Sequence, residues 1–390
     1  MQTKVQSHRP LQLCSTVGFS LSFQKMVTLG YKLRKNVSDR IKRYSISAVF
    51  CLLALSVGTG CDTQHEFSSD PRTNFRALWE ILDQGYCYFD LKLPADSTWE
   101  DYYHKHAKDV HRGMSTDELF RKMNALIREL KDGHVNVITP FDYGRYWDWR
   151  DNYPSSLDKS VRSLYLGKDY RIAGGLHYER IRYNNHSKDR IGLVVFNSFS
   201  SSVSHSNINA VLSRLSDCKG LIFDIRENGG GSVDLSDRLA SHFIDKKRLV
   251  GYIRHKTGPK HDQFSKPMAL YVEPVSRGFL WHKPVVLLVD RGVYSAANDF
   301  VLKMKDIPHV FVMGDHTGGG AGMPFSSELP NGWGVRYSAS RMLDKDMQDI
   351  EFGIAPHKRV SLSKSDLAQG YDSIIESAIE HILQTVEKPK

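Results

Sequence analysis

Four turns of this chain carry residue types that could do chemistry. Ser295 stands in "DRGVYSAANDF" (Asp290–Phe300), directly after the apolar run "KPVVLLV" (Lys283–Val289). A buried strand that drops into an Ala-rich helix puts this hydroxyl at a helix N-terminus. Serine is favoured there as an N-cap. The chemical alternative is a nucleophile held against backbone N–H groups that could take up an oxyanion. "DIRENGGG" (Asp224–Gly231) sets three glycines between a strand and a helix, so that backbone N–H groups can face an anion. "KDGHVNV" (Lys131–Val137) places His134 between a helix and a strand-like run. "GDHTGGG" (Gly314–Gly320) is a second glycine-lined turn at a strand end, where ligand sites of open α/β sheets lie. His134 taken alone reads as a structural histidine. His282, His309, His316 and His357 are rival bases, and His316 leads them because it lies in a glycine loop. Asp224 and Arg226 read as braces of the glycine turn. A phosphate cradle is disfavoured, since neither GxGxxG nor GxxxxGK[ST] is present.

The elements that must position these residues show in the pattern. Phe75, Leu78, Trp79 and Leu82 keep helical spacing, and Ser115 with Glu118 forms a capping-box pattern before Leu119, Phe120, Met123, Leu126, Ile127 and Leu130. Residues 74–138 are therefore expected to form a small N-terminal helical domain. From about Gly192 the texture changes. "IGLVVFNSF" (Ile191–Phe199), "GLIFDIR" (Gly220–Arg226), "PVVLLVD" (Pro284–Asp290) and "VFVMGD" (Val310–Asp315) are continuously apolar, as buried parallel strands are. Helical stretches alternate with them, which predicts an α/β core with a mostly parallel sheet over 191–390. The Tyr-, Trp- and Ser-rich stretch 139–190 has weak periodicity and is expected to be a connecting segment.

The net charge of +9 invites a nucleic-acid reading, and its distribution removes it. Residues 1–60 hold nine Lys/Arg and one Asp, a net of +8, leaving +1 for the remaining chain. The basic stretch from Lys32 to Arg43 precedes an apolar run, "ISAVFCLLALSVGTG" (Ile46–Gly60), and then Cys61. This pattern resembles a bacterial lipoprotein signal, with 1–60 removed and Cys61 lipidated. Gly58 stands where Leu is usual, and Met26 offers a later start. An ordinary secretory signal and an uncleaved anchor are the alternatives. Residues 61–73 would be a polar tether. Cys87 and Cys218 remain, with no CxxC or Cys/His spacing, so neither a disulfide framework nor a metal site is expected. No cofactor is expected either.

Taken in order, the motifs resemble peptidase family S41, the family of C-terminal processing proteases and tricorn-type core proteases. The likeness runs from about Asn74 to Val386 through "L-x-DGH", "D-x-R-x-NGGG", the "SA" turn, "GD-x-TGG", "E-x-GI-x-P" (Glu351–Pro356) and "G-x-D" (Gly370–Asp372). The resemblance implies a ClpP/crotonase-like αβ superhelix core behind the helical domain. It implies Ser295 as nucleophile, with the Ala296 N–H and that of Gly229 or Gly230 as oxyanion donors. Processing proteases activate their serine with a lysine. The matching position here is Gly320, so the tricorn-like use of a histidine is implied, with His134 as base and Glu351 as the acidic member that orients it, directly or through a small polar group. Gly133 replaces the serine that precedes the tricorn histidine, leaving Asp132 as a rival partner, and Asn298 stands where Glu is frequent. Too few residues separate the helical part from the core for a PDZ domain.

The expectation is a serine-type endopeptidase that cuts peptides or unfolded envelope proteins, lipid-anchored in a bacterial envelope. It does not bind nucleic acid, and the sequence leaves its oligomeric state open. A non-catalytic ligand- or peptide-binding protein on the same fold is the alternative. An acyl-CoA enzyme of crotonase type is a third, disfavoured by the secretory leader. Activity should fall as His134 protonates, from an ordinary imidazole value of about 6.5 raised by any neighbouring carboxylate.

Overall fold

The computed structural model describes residues 67–387; the leader and Cys61 lie outside the described residues. The chain opens with helices α1 (Pro71–Gly85), α2 (Phe89–Lys92), α3 (Trp99–Ala107) and α4 (Thr116–Arg128). Side-chain caps set their starts. Asp70 accepts from Arg72 N–H at α1, and the Thr98/Asp101 and Ser115/Glu118 capping boxes close α3 and α4. Next come β1 (Asn136–Ile138), β2 (Tyr143–Gly144), α5 (Asp148–Asp151), α6 (Lys159–Leu166), β3 (Arg171–Ala173) and β4 (Leu176–Arg180). The centre of the chain holds β5 (Ile191–Phe196), α7 (His205–Arg214), β6 (Gly220–Asp224), α8 (Val233–Ala240), β7 (Arg248–His255) and β8 (Met268–Val272). It continues through β9 (Val285–Val289), α9 (Ala296–Lys305), β10 (Val310–Gly314), β11 (Met323–Glu328) and β12 (Gly334–Asp344). It closes with β13 (Lys358–Arg359), α10 (Lys364–Ala368) and α11 (Ser373–Glu387).

One sheet runs β13-β10-β9-β6-β5-β4-β3 and is parallel from β13 to β5. Its central strands β5, β6 and β9 are buried at every residue, which explains their unbroken apolar texture. Alternation along each strand divides the side chains between two cores. Val194, Phe196, Phe223 and Leu287 pack against α7, α8 and α9. Leu193, Val195, Ile222 and Leu288 pack against α6 and α11. Helices on both faces make this a mixed α/β fold.

A second sheet, β2-β1-β12-β7-β8 with β11 also on β12, is antiparallel. It changes the expected division of the chain. Helices α1, α3 and α4 share their core with Val135, Val137, Trp333, Val335 and Tyr337, so the N-terminal helices fold onto strands from beyond residue 320. All described residues belong to one compact unit. The stretch read as a connecting segment, 139–190, contains β3 and β4, which extend the parallel sheet as an antiparallel edge. Both differences have the same physical origin. The edge strand β3 and the largely exposed β11 lack the apolar run that marks a buried strand.

Candidate active site

Ser295 lies between β9 and α9, and its backbone sits at φ 58°, ψ −125°. That conformation costs a non-glycine residue on the order of 1–3 kcal/mol and persists only where the surroundings enforce it. Three backbone hydrogen bonds enforce it here. Ser295 N–H donates to the Gly319 carbonyl (2.9 Å), Tyr294 N–H to the Asn228 carbonyl (3.1 Å), and Gly318 N–H to the Val293 carbonyl (2.8 Å). The serine side chain makes no capping bond to α9. Its Oγ lies instead 3.0 Å from His134 Nε2. The N-cap reading fails because the left-handed backbone turns the hydroxyl away from the helix.

His134 follows α4 in the turn that starts β1 and is 3% exposed. Its backbone N–H donates to Asp132 Oδ1 (2.7 Å). Asp132 is buried and also accepts from the hydroxyls of Tyr86 (2.8 Å), Ser338 (3.3 Å) and Tyr294 (3.4 Å). Burial works to raise the Asp132 carboxyl, but Lys92, His134 and these hydrogen bonds outweigh it and hold the carboxyl below its ordinary value. For His134 burial wins. It pushes the imidazole down to about 4, against the opposing pull of Asp132 and with help from Arg336 and Lys92. The upward shift expected from a neighbouring carboxylate is thus reversed, and His134 is neutral at pH 7. Its Nδ1 is buried and has no hydrogen-bond partner among the described residues.

The glycine turn of Asp224–Gly231 lies directly against the serine. A Cβ on Gly230 would come 2.7 Å from Ser295 Cβ and 2.9 Å from Ala296 N, and its φ of 95° also demands glycine. Gly230 N–H donates to Asn228 Oδ1 (3.0 Å). The N–H groups of Gly229 and Ala296 donate to no group among the described residues. Asp224 and Arg226 brace this turn through a buried fork, Nε to Oδ1 (3.0 Å) and Nη2 to Oδ2 (2.7 Å).

Of the two ways in which Glu351 could act on His134, directly or through another group, the direct bond is not made. One carboxylate oxygen is 2.7 Å from Lys92 Nζ and the other accepts the Ala321 N–H (2.9 Å), so neither bonds to His134. Burial and the Asp132 charge raise Glu351, only partly offset by Lys92. His316 hydrogen-bonds the Thr317 carbonyl through Nδ1 (3.1 Å), and His357 Nδ1 accepts from Val312 N–H (2.9 Å). Among the described residues His134 is the histidine bonded to Ser295. Asn298 ties α9 to the glycine loop by accepting from Thr317 Oγ1 (2.6 Å).

Comparison with known proteins places the chain in a family. The model of peptidase family S41 matches residues 190–360, and the tricorn protease C1 domain matches 67–127. A crystal structure of a peptidase candidate from Parabacteroides merdae ATCC 43184 is 46% identical, covering 81% of this chain and 98% of that one, with a TM-score of 0.75. The chain belongs to peptidase family S41. The carboxy-terminal processing protease CtpA of Bacillus subtilis (strain 168) is 26% identical over 182 residues, 46% of this chain and 37% of that protein. The match thus spans little more than a third of the processing protease's length. Mature CPAF complexed with lactacystin has the same fold, with a TM-score of 0.60 at 12% identity over 81% of this chain and 99% of that one.

Two features of this S41 chain escaped sequence reasoning. Lys92, in "FDLKLP" (Phe89–Pro94), reads as an ordinary solvated lysine, yet its side chain is only 6% exposed. Tyr294 and Trp149 stack at 4.0 Å, and a cavity of about 500 Å³ opens beside them, lined also by Gly133, Arg291 and Phe352. The aromatic richness of 139–190 was the available signal. It was read as loop composition because no period accompanied it.

Proposed function

We propose that this S41 chain is a serine-type endopeptidase in which Ser295 is the nucleophile and His134 its general base. The 3.0 Å approach of Oγ to Nε2, on a serine whose backbone rules out capping, carries the reading. Ser295 Oγ attacks the scissile carbonyl carbon while its proton passes to His134 Nε2. The oxyanion forms against the Ala296 N–H and the glycine turn. There the unengaged Gly229 N–H is the better placed donor, since Gly230 already serves Asn228. His134 returns the proton to the leaving amine, leaving an acyl-serine. It then takes a proton from water, which attacks the ester carbonyl, frees the carboxylic acid and restores Ser295. Asp132, the carboxylate hydrogen-bonded to the histidine turn, supplies the negative charge that faces the imidazolium, and Glu351 acts one step further back.

The substrate class, peptides or unfolded proteins, follows from the family. The parallel sheet with helices on both faces supports reading the core as a ClpP/crotonase-like αβ superhelix. The leader sequence supports lipid anchoring at Cys61 in a bacterial envelope, which palmitate incorporation lost in Cys61→Ala would test. The activity itself is tested by reaction with a fluorophosphonate probe and peptide mapping. An adduct on Ser295, with unfolded-protein cleavage abolished in parallel, is the expected result. An unlabelled, non-cleaving protein would favour the binding-protein alternative.

A further inference from the structure

The Ser295–His134 approach joins two turns from opposite parts of the chain, and something must set their separation. His134 leaves the N-terminal helices at the end of α4, whereas Ser295 belongs to the parallel sheet. A chain of polar contacts runs between the two turns, with one side chain at its centre. Lys92 Nζ donates to the Lys131 carbonyl at the start of the histidine turn (3.4 Å) and pairs with Glu351 (2.7 Å). Glu351 passes the connection on at two points. Its carboxylate accepts the Ala321 N–H (2.9 Å) and its carbonyl accepts the Gly320 N–H (3.0 Å). The neighbouring Gly319 carbonyl accepts the Ser295 N–H (2.9 Å).

We propose that Lys92 is a positioning residue for the reaction, a strut that ties the turn carrying His134 to the glycine loop that holds Ser295. This rests on the peptidase reading above for its consequence, not for its geometry. Lys92 suits the task because it comes from a third element, α2, whose partner residue Phe89 is buried among Tyr86 and Trp99. Its ammonium also lies over the Phe352 ring at 4.8 Å, which closes the solvent side. A buried lysine is expensive to keep, and burial alone would drive it neutral. The Glu351 and Asp132 carboxylates outweigh that effect and hold Lys92 above its ordinary value, so the strut is charged at working pH. The order of contacts matters, because a misplacement of about 1 Å between nucleophile and base can cost roughly 100-fold in rate.

The same placement has an electrostatic consequence. The charged groups that act on His134 are Asp132, Arg336 and Lys92. The Tyr86, Tyr88 and Tyr294 hydroxyls around them are pushed up by burial and stay protonated, as does the Cys87 thiol. Glu351, raised by its burial, takes up a proton before His134 does on acidification. Where His134 titrates, the Lys92 charge is therefore offset by Asp132 alone, and it opposes the imidazolium. Removing it moves the His134 midpoint upward.

The test uses Lys92→Met and Lys92→Arg in the full chain, with two readouts. The first is the limiting rate of fluorophosphonate labelling, separated from the probe concentration at half-saturation. The second is the His134 titration midpoint, followed by NMR of imidazole-labelled histidine, which needs no activity. Expected for Lys92→Met are a 10- to 100-fold fall in the limiting rate at little-changed half-saturation, and an upward shift of the midpoint. Lys92→Arg should recover part of the rate. Should Lys92→Met fail to fold, Lys92→Met/Glu351→Gln, which also removes the carboxylate that Lys92 pairs with directly, carries the same expectations. A limiting rate within 2-fold of wild type, or an unmoved His134 midpoint, overturns the proposal. A wild-type protein that never labels refutes the peptidase reading instead, and the midpoint then decides the Lys92 question by itself.

Discussion

Two buried clusters in this molecule each pair two carboxylates with cations, yet they differ in the cation at their centre and in what stands beside it. Around Arg226, Asp224 takes a two-pronged fork, the Ser156 carbonyl takes a third bond (3.0 Å), and Asp372 lies 2.9 Å from Nη1. Asp372 Oδ1 also caps α11, accepting from Ile374 (3.0 Å) and Ile375 (3.1 Å) N–H. Burial would raise Asp224, but Arg226, with help from Arg162 3.7 Å away, outweighs it and holds the carboxyl low, whereas burial raises Asp372. Around Lys92 one carboxylate is likewise held low and the other raised, but the cation is a point charge and a neutral imidazole with a bare Nδ1 stands beside them. An unpaired buried polar atom ordinarily costs about 1–3 kcal/mol. The Arg226 cluster also leaves Asp372 Oδ2 and Arg162 Nη1 without a hydrogen-bond partner, so what sets the second cluster apart is its neutral imidazole 3.0 Å from Ser295 Oγ. The guanidinium fits the first because its fork is planar and always charged, and the ammonium fits the second because its charge answers to its neighbours.

The comparison can be broken at several points, taken here in order of expected effect. Ser295→Ala should abolish labelling and lower turnover of an unfolded protein by ~10³-fold or more. The Ser295→Ala/His134→Ala double variant should be no worse than either single one, since the two act as a unit. Arg226→Met should leave two buried carboxylates unpaired and lower stability by about 3–5 kcal/mol, read from a urea midpoint, while the folded fraction still labels. If Arg226→Met folds normally but fails to label, the two clusters are not divided as described. Gly230→Ala should slow labelling by roughly 100-fold and also lower the urea midpoint, because the added methyl displaces Ser295 and the positive φ strains alanine. Glu351→Gln should cost about 10-fold, because it acts through its neighbours and not on the imidazole. A loss as large as that of His134→Ala would return Glu351 to the role of direct partner.

Much of this was legible in the sequence for identifiable reasons. Strands β5, β6, β9 and β10 announced themselves because burial on both faces leaves an unbroken apolar run. Ser295 and the glycine turn showed because a strained backbone and a close approach restrict residue type locally. The antiparallel sheet was hidden, since β11 is exposed along most of its length and β12 draws its partners from residues 136–138, 248–255 and 323–328. Lys92 was hidden for a stronger reason. Its role comes from a carboxylate more than 250 positions away, and nothing in its own segment marks it. Whether Glu351 reaches His134 directly or through other groups likewise depended on a separation that no motif encodes.

His134 also gives the account a pH signature. Because burial holds its imidazole at about 4, the unfolded chain takes up the proton first as pH falls below about 6.5. The folded state should therefore lose stability between those two values, while the base itself stays neutral. The central claim is that this neutral imidazole activates Ser295. Its most direct test is the rate of fluorophosphonate labelling at Ser295 from about pH 4 to about pH 8 in wild type, His134→Ala and His316→Ala. The account predicts a wild-type rate that persists well below the ordinary imidazole value and declines toward about pH 4. It predicts a His134→Ala rate lower by ~10³-fold throughout and a His316→Ala rate close to wild type. A His134→Ala protein that labels at the wild-type rate, or a His316→Ala protein that does not label, would contradict it.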